Sequence, residues 1–396
     1  MGSPAKLSLK ETLADHRAPF FAGLVASATG TAASMGVALT ALTAVGASTA
    51  QTATAVVVML VLYGVLSIGL SARYKMPISI VWSTPGAAML AAAAVLKLNF
   101  SNATGAFLVT GVLLALTGLW PRLGALVSSI PKPIANAMLA GVIFSFCVSP
   151  FQASASYPLI VLPVIVVWLV LYRFATIWAA PVAIILAYSL IAFTMPVSLN
   201  EVHLVPGFSP VLPTFDWAAI ISVAIPLYLV TMASQNVPGL AIMNSFGFEV
   251  PFKPALVSTG LGTVLGSFFG GYALNLAAIT AALNANEHAH PKPERRWLAS
   301  VYGGVFYLLL AALAAPTVAF VLATPHVLIL AASGLALLGT IGNALTEATS
   351  NVQLRMPAVI TFLVGASGIV VWGIGAAFWA LAAGIVVWLF TRVRGA

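Results

Sequence analysis

Apolar residues fill most of this chain in long runs, and short polar or proline-containing breaks separate the runs. A helix that crosses the hydrocarbon layer of a membrane needs about 20 mainly apolar residues. The runs and breaks predict fourteen segments, and a further short helix at residues 316–323. The approximate bounds of the fourteen are residues 18–45, 52–71, 77–96, 103–120, 133–150, 158–174, 178–195, 215–235, 254–269, 271–285, 294–315, 327–348, 356–373 and 376–391.

Segments three and ten depart from the pattern of a continuous helix. In segment three, a strand-like run at residues 77–82 meets the sequence Ser83-Thr84-Pro85-Gly86. In segment ten, residues 270–275 include two glycines and an asparagine, and a helical run follows at residues 276–283. Irregular backbone at membrane depth is tolerated only where protein buries it or where it lines a cavity. Each segment is therefore predicted to be an extended stretch that turns into a half-helix beside a substrate site.

Composition restricts the class of protein. Hydrophobic residues make up 61% of the chain, charged residues only 6%, and the mean hydropathy is +1.08. A soluble domain is typically about 25% charged. The chain has too few charges to cover a water-facing surface, so we expect an all-α polytopic membrane protein.

The distribution of charge supports the number of segments. With fourteen crossings, both termini lie on one side, and that side collects every Lys and Arg except Lys97, which is 15 of 16. Lys and Arg concentrate in cytoplasmic loops, so both termini are predicted to be cytoplasmic. This bias accounts for the net charge of +8 without a nucleic-acid partner.

A polar loop at residues 196–213 divides the segments into two sets of seven. The broken segments fall third in each set. Because seven is odd, the two halves must have opposite orientations in the membrane. Inverted repeats with broken helices are characteristic of secondary transporters.

The half-helix of segment three has the chemistry of an anion site. Thr84 is a suitable N-cap with Pro85 at the first helical position, and Ser83 is the alternative cap. Gly86 permits a ligand to approach the backbone closely. A half-helix that begins at membrane depth presents unpaired N–H groups and the positive end of its dipole, which favour an anionic ligand.

Segment ten offers the matching half of the site. Asn275 is the predicted cap, which leaves the N–H groups beyond Leu276, those of Ala277 and Ala278, free for the ligand. Tyr272 lies in the extended stretch, as Trp82 does in segment three. The two rings either stack on a planar substrate or serve for packing.

Polar and ionisable groups inside the apolar runs are the remaining candidates. Ser234, Gln235 and Asn236 end segment eight, where they either line the site or join helices by hydrogen bonds. Glu347 is the candidate for proton coupling, with a solvated position at the membrane interface as the alternative. Glu287, His288 and His290 are expected to be ordinary loop residues. No catalytic constellation, metal cluster or cofactor motif is visible, so an enzyme is not expected.

Three motifs give the chain a resemblance to a known family. They are residues 83–88 (STPGAA), 232–239 (MASQNVPG) and 275–282 (NLAAITAA), followed by residues 287–291 (EHAHP) and 295–297 (RRW). Together they resemble the benzoate–proton symporter family, which is similar in architecture to the uracil and xanthine permeases. The resemblance covers nearly the whole chain. It implies two inverted repeats of seven segments, with the substrate between segments three and ten beside segment eight.

The resemblance also implies a division into two domains. A core domain would comprise residues 18–120 and 214–315, after a cytoplasmic tail at residues 1–17. A gate domain would comprise residues 121–213, including the external loop, and residues 316–396. Motion of the core against the gate would give alternating access.

The chain departs from the nucleobase permeases at the site itself. Those permeases carry acidic residues on segments eight and ten, where this chain has Ser234 or Gln235 and Asn275. The change suits a carboxylate, which an acid would repel. With the resemblance, this implies a multi-pass importer of benzoate or a related aromatic carboxylate, coupled to protons, in the bacterial inner membrane, with a homodimer as the candidate assembly. A permease for a neutral heterocycle and an anion channel are the alternatives.

Overall fold

The computed structural model describes residues 9–120, 122–123, 129–194, 208–277, 279–372 and 374–393. The start of the predicted N-terminal tail, most of the predicted dividing loop and Ala278 lie outside these residues. In the first half of the chain, the elements are α1 (Leu9–Ala44), α2 (Thr49–Tyr74), β1 (Ile80–Trp82), α3 (Thr84–Ala92), a 3-10 turn (Ala93–Leu96), α4 (Phe100–Leu119), α5 (Lys132–Ser156), α6 (Pro158–Phe174) and α7 (Thr176–Thr194).

The second half repeats a similar order. Its elements are α8 (Trp217–Ser245), α9 (Phe252–Ser267), β2 (Leu274–Leu276), α10 (Ile279–Ala285), a 3-10 turn (Pro293–Arg295), α11 (Trp297–Ala312), α12 (Ala314–Leu322), α13 (His326–Thr349), a 3-10 turn (Val352–Leu354), α14 (Arg355–Ala366), the hairpin strands β3 (Val370–Val371) and β4 (Ile374–Gly375), and α15 (Ala376–Val393). Within the described residues, five helices are long and apolar enough to cross a membrane: α2, α4, α5, α8 and α13.

Most predicted segments coincide with an observed helix to within a few residues, and the short helix predicted at 316–323 is α12. Four predicted helix ends were wrong: α1 begins at Leu9 rather than near residue 18, α5 ends at Ser156 rather than near residue 150, and the ends of segments eight and thirteen also differ. Segment eight was predicted to end near Gln235, but α8 continues to Ser245 because its polar residues lie inside the helix, in a π turn. Segment thirteen ends early, at Ala366, since Gly368 takes a φ of 65° that stops the helix before the β3–β4 hairpin.

Small residues set the closest helix contacts. A Cβ on Gly111 of α4 would lie 2.8 Å from the carbonyl oxygen of Gly260 on α9, and a Cβ on Gly260 would lie 2.7 Å from the carbonyl oxygen of Gly111. On α1, a Cβ at Gly23 would overlap the backbone of Ala299 and Gly303 on α11. Close approach of backbones is the usual way in which helices pack within a membrane. Gly23 thus permits the close contact between α1 and α11.

The two broken segments meet in an antiparallel two-stranded ribbon. β1 pairs with β2 in the register Ile80↔Leu276, Val81↔Asn275 and Trp82↔Leu274. Backbone bonds extend the pairing at both ends, from Ser83 N–H to Ala273 O and from Ala277 N–H to Ser79 O, each 2.9 Å long. The ribbon brings α3 and α10 to the same place in the protein.

Candidate functional site

The ribbon is held by polar side chains from three helices. A two-stranded ribbon leaves outward N–H groups that cannot find water at membrane depth. Here they donate to side-chain oxygens at 2.9 Å: Ile80 N–H to Ser67 Oγ of α2, Leu274 N–H to Thr263 Oγ1 of α9, and Leu276 N–H to Asn236 Oδ1 of α8. These bonds fix the ribbon to the surrounding helices.

The two faces of the ribbon have different surroundings. Side chains alternate between faces along a strand. Leu274 and Leu276 point toward glycines of α9 and α8, and Trp82 points toward α1 and α2. Asn275 and its cross-strand partner Val81 therefore occupy the opposite face of the ribbon. Val81 is half-buried, and Asn275 is fully buried.

Asn275 is the most unusual polar residue of the site. Its side chain is fully buried, and within the described part of the chain neither its Oδ1 nor its Nδ2 has a hydrogen-bond partner. Leaving a buried donor or acceptor unpaired costs about 1–3 kcal/mol. The prediction that Asn275 caps the half-helix was wrong, because Asn275 lies within β2 and α10 begins only at Ile279. Its amide is thus not used by the backbone and is available to a ligand.

Segment three ends in a properly capped helix, but with a different cap from the one predicted. Ser83, not Thr84, is the N-cap, and its Oγ accepts the N–H of Gly86 at 3.1 Å. Thr84 and Pro85 become the first two helical residues. Pro85 and Gly86 are buried, whereas Thr84 is half-buried. The N–H and hydroxyl of Thr84 are therefore the polar groups at this helix end that the cap does not use.

The predicted anion site at the start of α10 is not supported. The helix has only seven residues, and the N–H of Ala277 already donates to the Ser79 carbonyl. Leu276 and Ala277 are buried. The prediction that the N–H of Ala277 is free was wrong because the extended stretch continues one residue beyond β2. Segment ten thus contributes the side chain of Asn275 rather than backbone N–H groups.

The two aromatic candidates are packing residues. Trp82 is 1% exposed, donates from Nε1 to Ser34 Oγ at 2.8 Å and meets the Tyr63 ring edge-on. Tyr272 is fully buried and meets the Phe107 ring edge-on. Neither ring is free to stack on a substrate, so both rings serve for packing.

Helix α8 passes the ribbon with a π turn at Met232–Asn236. A second π turn, Ile220–Ala224, lies earlier in the same helix, and each turn ends two residues before a proline, Pro226 or Pro238. A proline has no N–H for the helix ladder, and π adjustments are one way in which membrane helices accommodate it. The paired prolines were the sequence signal for these turns.

The three polar candidates of α8 all lie in the π turn, but they have different surroundings. Asn236 is fully buried and holds Leu276, with its Nδ2 3.4 Å from Met232 Sδ. Ser234 and Gln235 are half-buried. Sequence reasoning missed Thr231, one position before the turn, which is fully buried with no partner for its Oγ1 among the described residues. Asn236 thus positions the ribbon, and Ser234 and Gln235 remain accessible.

The ionisable candidates lie toward the ends of helices. Glu347 is exposed, two residues before the end of α13. His290, expected to be an ordinary loop residue, is 6% exposed, and its Nε2 lies 2.8 Å from Asp15 Oδ1 on α1. No local sequence pattern indicates this pair, whose members are 275 positions apart. The polar candidates around the ribbon, Thr84, Ser234, Gln235 and Asn275, are all neutral.

Comparison with known proteins identifies relatives over most of the chain. A family model described as the benzoate membrane transport protein matches residues 15–390. The inner membrane protein YdcO of Escherichia coli is 39% identical over 326 residues, which are 81% of this chain and 82% of the relative. The benzoate membrane transport protein of Acinetobacter baylyi is 33% identical over 324 residues, with the same two coverages.

Solved structures share the fold at low sequence identity. The transmembrane domain of the cyanobacterial bicarbonate transporter BicA matches with a TM-score of 0.60 at 15% identity, covering 96% of this chain and 98% of that domain. The SLC26A9 structure matches with a TM-score of 0.59 at 16% identity, covering 98% of this chain and 67% of that chain. The mostly helical fold is therefore that of a membrane transporter.

Proposed function

Since the chain belongs to the benzoate membrane transport protein family, we propose that it imports benzoate or a related aromatic carboxylate together with protons. The family and its relatives are transporters rather than enzymes, and the chain is a multi-pass inner membrane protein. The observation that carries the position of the substrate is the fully buried and unpaired amide of Asn275 in β2, the strand that pairs with β1.

The substrate carboxyl group is placed, in this proposal, between Thr84 and Asn275. Thr84 offers its N–H and hydroxyl at the positive end of α3, and Asn275 offers its amide from the face of the ribbon that it shares with Val81. Ser234 and Gln235 approach from α8 and orient the substrate. Ser83, Pro85, Gly86 and Asn236 hold these groups in place.

Transport would proceed by alternating access between two domains in an inverted repeat of fourteen segments. The proposed core comprises residues 18–120 and 214–315, and the proposed gate comprises residues 121–213 and 316–396. The packing of the helices supports this grouping, because α2 packs on α11 and α4 on α9, whereas α5 packs on α13 and α14. Asn275 is covered by protein, so a substrate reaches it only when the elements around it separate.

Proton coupling is part of the same proposal. Glu347 is the acid that the sequence offers as a carrier, and both termini are proposed to be cytoplasmic. An exposed residue close to the end of α13 would exchange protons directly with the membrane surface. Any coupling through Glu347 would therefore act at a distance from the ribbon.

A ligand screen on the purified protein tests the substrate. A ligand that binds only the folded state raises its apparent stability by mass action. We expect benzoate, added at mildly acidic pH, to raise the melting temperature more than uracil or bicarbonate at equal concentration, because neither of these carries a phenyl ring joined to a carboxyl group. Stabilisation by uracil alone would favour a nucleobase permease instead.

Counterflow separates a carrier from a channel. Proteoliposomes preloaded with unlabelled benzoate should take up labelled benzoate faster than empty ones, because a carrier returns loaded. Equal uptake by both preparations would contradict alternating access. Liposomes without protein give the background, since an aromatic acid also crosses lipid by itself.

A further inference from the structure

The hydrogen-bonding groups of Asn275 indicate the charge state of the bound substrate. Its Nδ2 is a donor and its Oδ1 an acceptor, and both are buried without a partner in the described part of the chain. Buried polar groups are normally paired, so two orphan atoms on one side chain point to a ligand that satisfies both. That ligand must carry an acceptor and a donor side by side.

A carboxylate anion does not meet this requirement. An ionised carboxylate is acceptor-only. It would pair with Nδ2 but would face Oδ1 with a second acceptor and leave that oxygen unpaired in a medium of low dielectric constant, where an unpaired polar group is most costly. A protonated carboxyl group has a carbonyl acceptor and an O–H donor, which match Nδ2 and Oδ1 in one planar pair of hydrogen bonds.

The electrostatic surroundings agree with a neutral ligand. The elements that pack against β2 are β1, the π turn of α8, and α9. β1 and α8 contain no acidic, basic or histidine residue, and the only charged residue of α9 is Lys253, exposed in its first turn. The phenols nearby are Tyr228 of α8 and Tyr272 beside β2. Among these elements, an anion buried here would find no cationic side chain to compensate its loss of hydration, and the start of α3 would offer it only N–H and hydroxyl groups.

We propose that the protein binds its substrate as the neutral carboxylic acid, with the Asn275 amide as the two-point partner of the COOH group. The substrate then carries the coupled proton itself, as its own O–H, and one proton enters with each substrate without a titrating side chain. The transport step is electroneutral. This inference rests on the proposed function, because it concerns the same substrate and site.

The pH dependence of binding to the purified wild-type protein is the first test. A carboxylic acid has a pKa of about 4, so its neutral fraction falls about tenfold for each pH unit above that value. The apparent Kd rises in inverse proportion to the fraction of the competent form. We expect the apparent Kd for benzoate to rise roughly 100-fold between pH 5 and pH 7. A Kd that stays constant over this range would overturn the inference.

Benzamide is the second probe, and it needs no protein variant. Its primary amide also presents a donor beside an acceptor, but it does not titrate in this range. We expect benzamide to bind, to compete with benzoate, and to show the same Kd at pH 5 and pH 7. Benzoate binding without any benzamide binding would overturn the two-point pairing, because an anion site rejects a neutral amide.

The outcomes separate this inference from the proposed function. If benzoate binds with a constant Kd and benzamide does not bind, the protein is still a benzoate transporter, but it binds the anion. If neither ligand binds at pH 5, the proposed function itself fails. Asn275→Leu provides the residue-level check, since it should weaken benzoate and benzamide by the same factor, whereas an effect on benzoate alone would contradict a shared amide pair.

Discussion

The two broken segments have similar sequence patterns but offer different groups to a ligand. Segment three becomes β1 and a nine-residue helix whose Ser83 cap satisfies its first turn. Segment ten becomes β2 and a seven-residue helix, and its asparagine lies unpaired in the strand. One segment is built for stability, and the other retains an unpaired amide that lowers stability. In the proposed site, an unsatisfied amide rather than a helix cap marks the position that binds the substrate.

Asn275→Leu breaks this comparison most strongly. Leucine has a similar size and leaves no buried amide unpaired, so we expect the unliganded protein to gain about 1–3 kcal/mol of stability. Benzoate binding should weaken roughly 100-fold, the equivalent of two neutral hydrogen bonds of about 1.4 kcal/mol each. Thermal unfolding and a binding titration at pH 5 measure the two effects. A variant that is both less stable and still able to bind would show that Asn275 is a structural residue.

Asn236→Leu tests the hydrogen bond that holds β2, the strand that contains Asn275. The change leaves the N–H of Leu276 buried without its partner, which should lower stability by about 1–3 kcal/mol. Binding should weaken as well, because Leu276 is adjacent to Asn275. Ser67→Ala is the matched control, since it removes the equivalent bond to Ile80 on β1. We expect the control to lose stability with a smaller loss of binding, and equal losses of binding would remove the distinction between the two strands.

Ser83→Ala tests segment three, whose helix α3 has Ser83 as its N-cap. Loss of an N-cap side chain costs about 1 kcal/mol, and we expect benzoate binding to weaken only a few-fold because Thr84 remains in place. Ser48→Ala removes the cap of α2, where Ser48 accepts the N–H of Gln51 at an exposed helix end. That control should lower stability by a similar or smaller amount and leave the Kd unchanged. Abolished binding in Ser83→Ala would make the cap itself part of the substrate site.

Glu347→Gln is expected to have the smallest effect. If the substrate carries the proton, uptake driven by a pH gradient should stay within about a factor of two of the wild type. Uptake and exchange are measured with the same proteoliposome preparation. A variant that still exchanges substrate but no longer accumulates it would assign the proton to Glu347, and would show that coupling lies outside the ribbon.

The class of protein and most of its elements could be predicted from the sequence alone. In lipid, long apolar runs such as these are stable as helices, because every backbone polar group must be paired within the chain. The two interruptions could also be predicted from the sequence, since Pro85 and the glycines before β2 do not suit a continuous helix. The motifs at residues 83–88, 232–239 and 275–282 were enough to indicate the family, which the comparisons confirm.

The roles of the polar residues in these motifs depend on how distant segments pack together. Local preference favoured Thr84 and Asn275 as caps, but the pairing of β1 with β2 extends the strand through Asn275 and takes the N–H of Ala277. Asn236 lies next to Gln235 in sequence, yet a π turn directs it to the ribbon. Which groups remain unpaired depends on partners that are distant in sequence. The N–H of Leu276 donates to Asn236, about 40 residues away, and the N–H of Ala277 donates to Ser79, about 200 residues away. Hydrogen bonds between distant segments, which no local pattern encodes, therefore separate the supporting residues from those left for the substrate.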